Sequence, residues 1–175
     1  MERIKKEHKD KIMEMIRKAG DPENYIVSWN DKGIPISKEK AKVERGGKSR
    51  AAGSRFELKV RRDLENKGRI VDKWTNNIDL EKGKLIIARK YNPFKKIFVL
   101  GAGFPDFITI KHVHSELYSV IGVEVKMNGV LSQIEKEKCK WYLQKQIFSQ
   151  IWIAKKGSKR GEIEYINFAE KYNKK

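Results

Sequence analysis

Residues 118–127 read YSVIGVEVKM, a β-branched run broken by a glutamate and a lysine two positions apart. β-Branched residues pack well on a pleated surface, so the run predicts a strand. Side chains alternate along a strand, which puts Glu124 and Lys126 on one face and Val123, Val125 and Met127 on the other. Burying an isolated charge is costly unless it is paired or binds a metal. A strand of this kind belongs inside a layered structure, and its charged face requires a partner.

The flanking sequence supplies the layers. Ile4, His8, Ile12, Met15, Ile16 and Ala19 form one stripe and predict a helix over residues 3–19, ended by Gly20-Asp21-Pro22. A short YIVSW follows, and residues 21–49, Lys-rich and Gly-rich through "KAKVERGGKSR", read as a mobile basic linker or arm. Ala52, Phe56, Val60 and Leu64 recur at helical spacing before Gly68. RIVDKW, LIIARK, IFVL, PDFITI, IWIAKK and EIEYINF have strand character, and residues 131–148 predict a helix with Leu131, Ile134, Trp141, Tyr142 and Phe148 on one broad face. This order predicts an α/β fold with a mixed central sheet flanked by helices. The expected organisation is a helical, basic N-terminal extension over residues 1–48 and a folded domain over residues 49–175.

Charge narrows the partner. The chain has 40 Lys and Arg against 23 Asp and Glu, a net charge of +17. Such an excess favours a polyanion, nucleic acid first and an anionic membrane second. No apolar run reaches the roughly 18 residues of a membrane span. The N-terminal MERIKKEHKDK lacks an apolar signal-peptide core. A single cysteine, Cys139, excludes an internal disulfide and a Cys-rich zinc site, and a reducing, cytoplasmic compartment is expected.

Eighteen residues before Glu124 stands Asp106, in "GFPDFITI". If the two strands are neighbours, these carboxylates converge. Two such groups make a hard-oxygen site for Mg²⁺, with Mn²⁺ as a substitute. Lys126 adds a positive charge beside it. A metal polarises a phosphoryl oxygen and acidifies a bound water, and a lysine orients that water or stabilises transition-state charge. This is what phosphodiester hydrolysis requires.

Pro105-Asp106 followed by Glu124-Val125-Lys126 resembles the PD-(D/E)xK nuclease superfamily. "GSRFELKVRRDLENKG" is similar to its opening helix, which carries an acidic residue, here Glu57. "GFPDF" with "GVEVKMNGVLS" resembles the archaeal Holliday-junction resolvases and the VRR-NUC domains. The resemblance covers roughly residues 49–155. It implies a restriction-endonuclease-like fold. It also implies Asp106, Glu124, the Val125 carbonyl and Glu57 as metal ligands, and Lys126 as the catalytic lysine. It further implies a DNA endonuclease acting as a homodimer, with branched-DNA resolution as the leading role. Other DNA targets and a non-catalytic binding module are the alternatives. Lys48, Arg50, Arg55 and Lys138 are the expected nucleic-acid contacts. The VRR-NUC pattern LSxxQ is departed from at Glu135.

Simpler readings stand beside these. Asp106 caps a turn, Glu124 and Lys126 form a solvated strand face, and Glu57 pairs with Arg61 at helical spacing. Ser132 and Glu135 match a capping box. His112 and His114 read as exposed, Cys139 as a small buried hydrophobe, and Trp29 as the tryptophan best placed for nucleic acid.

Overall fold

The computed structural model describes residues 6–30, 35–92 and 94–172. The chain divides into two units, Met1–Ser54 and Arg55–Lys175. In the first, helix α1 (Lys6–Ala19) precedes an antiparallel hairpin of β1 (Tyr25–Trp29) and β2 (Pro35–Glu39). Met15, Ile16 and Ala19 line an apolar groove together with Val27 and Trp29. Ile4 and the side chain of His8 lie outside the described residues.

The expected basic linker is built into regular structure: its first part forms the β1–β2 hairpin and its Lys-rich end is helical. Helix α2 runs from Lys40 to Asn66 and takes in all of "KAKVERGGKSR", and the boundary between the units falls inside it, after residue 54 rather than 48. Gly46 and Gly47 each cost a helix about 1 kcal/mol relative to Ala. Their neighbours are mostly good helix formers and none is proline, so the two glycines do not break it. Gly68, at φ +73, closes α2 in a left-handed turn. The Gly68 N–H donates to the Glu65 carbonyl and the Arg69 N–H to the Leu64 carbonyl, which satisfies carbonyls left over at the helix end.

The second unit holds β3 (Ile70–Lys73), β4 (Asn76–Asp79), β5 (Lys84–Ile87), β6 (Arg89–Asn92), β7 (Ile97–Leu100), β8 (Phe107–His114) and β9 (Leu117–Val125). Helix α3 (Gln133–Gln144), β10 (Gln150–Lys156), β11 (Ile163–Asn167) and α4 (Phe168–Tyr172) complete it. The central sheet is five-stranded and mixed, in the order β11-β10-β9-β8-β3. Its one parallel pair, β9 with β10, is joined through α3, as a parallel pair requires a crossover. β4 with β5 and β6 with β7 form separate two-stranded hairpins.

The alternation anticipated for β9 sorts the two faces. Ile121 and Val123 pack with Phe56, Val60 and Leu64 of α2, and Val125 and Met127 lie against the same cluster. On the other face Leu131, Cys139 and Tyr142 meet Phe148, Ile153 and Phe168. Full burial of one such side chain stabilises by roughly 1.5–3 kcal/mol, and Val60, Leu64 and Tyr142 are each 0% exposed.

Helix α3 stops at Gln144, short of the expected 148. Gln146 adopts φ +54, its N–H donates to the Leu143 carbonyl, and the Ile147 N–H donates to the Tyr142 carbonyl. The chain thus turns under the helix and buries Phe148 in the core. Ile134, expected on the apolar face, is 59% exposed. Among the described residues no helix is long and apolar enough to cross a membrane.

Candidate active site

Antiparallel pairing sets Phe107 opposite Val123. One residue beyond that pair, Asp106 and Glu124 face each other across the end of the ladder. Their backbone and side chains interlock. The Asp106 N–H donates to Glu124 Oε2 at 3.2 Å, and the Val125 N–H donates to Asp106 Oδ2 at 2.8 Å. The approach depends on Gly122, where a Cβ would lie 2.8 Å from Pro105 Cγ and 3.1 Å from the Phe148 ring. A glycine in mid-strand often marks such a close backbone approach.

Glu124 is 4% exposed. Burial pushes its carboxyl up to about 8, and the neighbouring Asp106 adds to the rise while Lys126 opposes it. Asp106 is also raised, chiefly by burial and further by repulsion from Glu57, against the Val125 N–H and Lys126. Two acidic groups held apart from water and close together lack positive charge. Lys126 supplies part of it, with Nζ 3.1 Å from Glu124 Oε1.

Lys126 has a second partner. Its Nζ lies 2.6 Å from Glu135 Oε1. Burial works against the Lys126 ammonium, but Glu135 and Glu124 outweigh it and hold its pKa above the usual range. Glu135 also forms the anticipated capping box: its Oε2 accepts from the Ser132 N–H, and the Ser132 hydroxyl accepts from the Glu135 N–H. The cap fixes one end of Glu135 while the ion pair uses the other oxygen. Sequence reading found the cap and missed the link to Lys126. The signal lay in the tight turn at Gly129, φ +69, which brings the start of α3 back to the end of β9.

Glu57 lies on α2 within electrostatic reach of Asp106. It does not pair with Arg61, which instead bridges Glu65 at 2.9 Å. Among the described residues no group of three or more His, Cys, Asp or Glu side chains is arranged to hold a metal ion. The donors that converge are two carboxylates, Asp106 and Glu124. The Val125 carbonyl shares the strand edge of the Val125 N–H that meets Asp106. Two hard anionic oxygens short of positive charge fit a small divalent cation.

No protein-family model, curated protein or solved structure matches this chain.

The remaining expected residues are dispersed. Lys48, Arg50 and Arg55 are exposed along α2. Lys138 is half-buried, its Nζ 5.5 Å from the Phe104 ring centre. His112 and His114 are exposed, and His112 Nε2 lies 2.7 Å from the Ser115 carbonyl. Cys139 is fully buried, and burial raises its thiol pKa, with Glu124 and Glu135 adding to the effect. Trp29 is 71% exposed.

Proposed function

We propose that the chain is a Mg²⁺-dependent endodeoxyribonuclease of the PD-(D/E)xK type, on a restriction-endonuclease-like fold, acting as a homodimer on branched DNA. The observation that carries this reading is the interlocked pair Asp106 and Glu124 with Lys126 beside it. A protein whose partner is a polyanion gains nothing from burying two carboxylates unless a cation joins them.

In this reading Asp106, Glu124 and the Val125 carbonyl hold the metal, and Glu57 contributes from α2. The bound cation supplies Lewis-acid polarisation of the phosphoryl group and acidifies a water. Lys126 keeps its ammonium charged and points it at the same space, where it orients the attacking water or offsets charge developing on phosphate. Glu135 holds the lysine from the other side. The net charge of +17 attracts the DNA backbone.

A second reading, a non-catalytic nucleic-acid-binding module, draws on the lack of a third contacting carboxylate among the described residues. One experiment separates the two. Labelled duplex, single strand, flap and four-way junction are incubated with Mg²⁺, Mn²⁺ or EDTA. The nuclease reading expects metal-dependent cutting, strongest on the junction. Binding without cutting under every metal condition favours the module, and cutting of another substrate over the junction redirects the target.

A further inference from the structure

A second charged feature of the Arg55–Lys175 unit takes no part in the carboxylate site. Arg55 and Lys59 of α2 face the turn Gly157–Gly161 between β10 and β11. Together with Lys156, Lys159 and Arg160 they line a cleft of about 460 Å³. Lys59 reaches over the turn: a Cβ built on Gly161, at φ +94, would lie 3.2 Å from its Nζ.

Among the described residues none of these five cations is in a salt bridge. Their neighbours are paired: Lys155 with Glu164 at 2.9 Å, Lys67 with Asp63 at 2.7 Å and Arg61 with Glu65 at 2.9 Å. The carboxylate in the cleft, Glu162, is drawn into the turn, where its Oε2 accepts from the Lys159 N–H at 3.0 Å and the Ser158 hydroxyl at 3.3 Å. It stiffens the turn but keeps its charge in the cleft, and Asp63 acts electrostatically on Lys59. Five cations around one lining carboxylate still leave a positive excess that an incoming anion offsets.

The cleft is tied to the carboxylate site through the end of β10, where the Lys156 N–H donates to the Met127 carbonyl just past Lys126. Arg55 and Lys59 share α2 with Glu57 but, two positions away, point to its other flank. We propose that this cleft is a phosphate subsite for the nucleic-acid backbone, holding the strand beside the candidate active site. The inference rests on the nucleic-acid reading above but not on catalysis.

The test is fluorescence anisotropy with a labelled four-way junction and a labelled duplex in EDTA, over a salt series. It compares the native chain, the triple variant Lys59→Gln/Lys159→Gln/Arg160→Gln, and a control, Lys90→Gln/Lys95→Gln/Lys96→Gln, that removes equal charge from the β6–β7 hairpin. The cleft variant is expected to bind both DNAs at least about tenfold more weakly, with the log–log salt slope reduced by about one per lost phosphate contact. The control is expected to lose much less. Equal losses in both variants, unchanged binding in the cleft variant, or no DNA binding by the native chain would overturn the subsite. Cutting with Mg²⁺ is scored separately. A native chain that never cuts, yet binds through the cleft, retires the nuclease and keeps the subsite. Normal cutting with unaltered binding in the cleft variant does the reverse.

Discussion

Asp106 and Glu124 hold each other by crossed hydrogen bonds: the backbone of the first meets the side chain of the second, and the side chain of the first meets the backbone that follows the second. Each carboxylate is thereby aimed before any cation arrives. Preorganised ligands lose less freedom on binding, so this geometry suits a metal site better than a pair of free surface acids.

The isosteric variants Asp106→Asn and Glu124→Gln keep an acceptor for each crossed bond and remove the charge. Both should fold. Calorimetric titration with Mn²⁺ should show binding lost, and cutting should fall by roughly 10²-fold or more, the scale of removing one electrostatic catalytic group. Retention of full metal affinity by either variant would dismiss the site.

Without metal, stability should depend on pH in an unusual direction. The folded pKa of Glu124, about 8, lies above its ordinary 4.5, so the folded state holds a proton that the unfolded chain releases. The stabilisation is full below about pH 4.5 and is lost as pH rises through about 8. Asp106 is shifted the same way. Unfolding free energies from urea titrations in EDTA should therefore fall between mildly acidic and mildly alkaline pH, by up to a few kcal/mol at about 1.4 kcal/mol per pKa unit. Glu135 is shifted down, chiefly by Lys126 overcoming its burial, and its contribution fades only as pH falls through its lowered pKa. An unfolding free energy for Glu124→Gln that falls as steeply as the native one would discredit this account.

Lys126 and Glu135 should separate chemistry from metal binding. Lys126→Ala should leave Mn²⁺ binding in place and abolish cutting. Glu135→Gln keeps an oxygen for the Ser132 cap but loses the ion pair, so a smaller loss of cutting and a stability cost of about 1 kcal/mol or less are expected. Equal and complete loss of cutting in both variants would instead make Glu135 a reacting group.

Gly122→Ala probes the close approach behind the site. Its Cβ would press on Pro105 Cγ and the Phe148 ring. Overpacking of this kind costs typically 1–3 kcal/mol. Thermal melts should show a loss in that range, and a neutral substitution would mean that the two segments separate freely.

Much of this is legible in the amino-acid sequence. The period-two pattern of Val123, Val125 and Met127 marks β9 and its apolar face, and the spacing of Phe56, Val60 and Leu64 marks the apolar stripe of α2; their packing against each other is a finding of the structure. What escaped has local causes. "KAKVERGGKSR" looks like a linker by glycine and charge, yet helix propensity summed over the segment prevails. The end of α3 carries neither glycine nor proline, and Gln146 makes the turn unannounced. The bond from Lys126 to Glu135 joins residues whose spacing has no regular period, and only the turn at Gly129 brings them together. The basic cleft escaped for a related reason. "KKGSKRG" reads as a solvated loop until α2 is known to lie against it.

Cys139 lies on the inner side of α3, with its thiol shielded from solvent and its ionisation suppressed. Alkylating reagents attack the thiolate, so the folded chain should be silent towards them until α3 lifts from the sheet. As the chain's single cysteine, it makes the labelling rate a clock for opening of that layer alone. A divalent ion that tightens the layer would slow the clock whether or not any bond in DNA is ever cut.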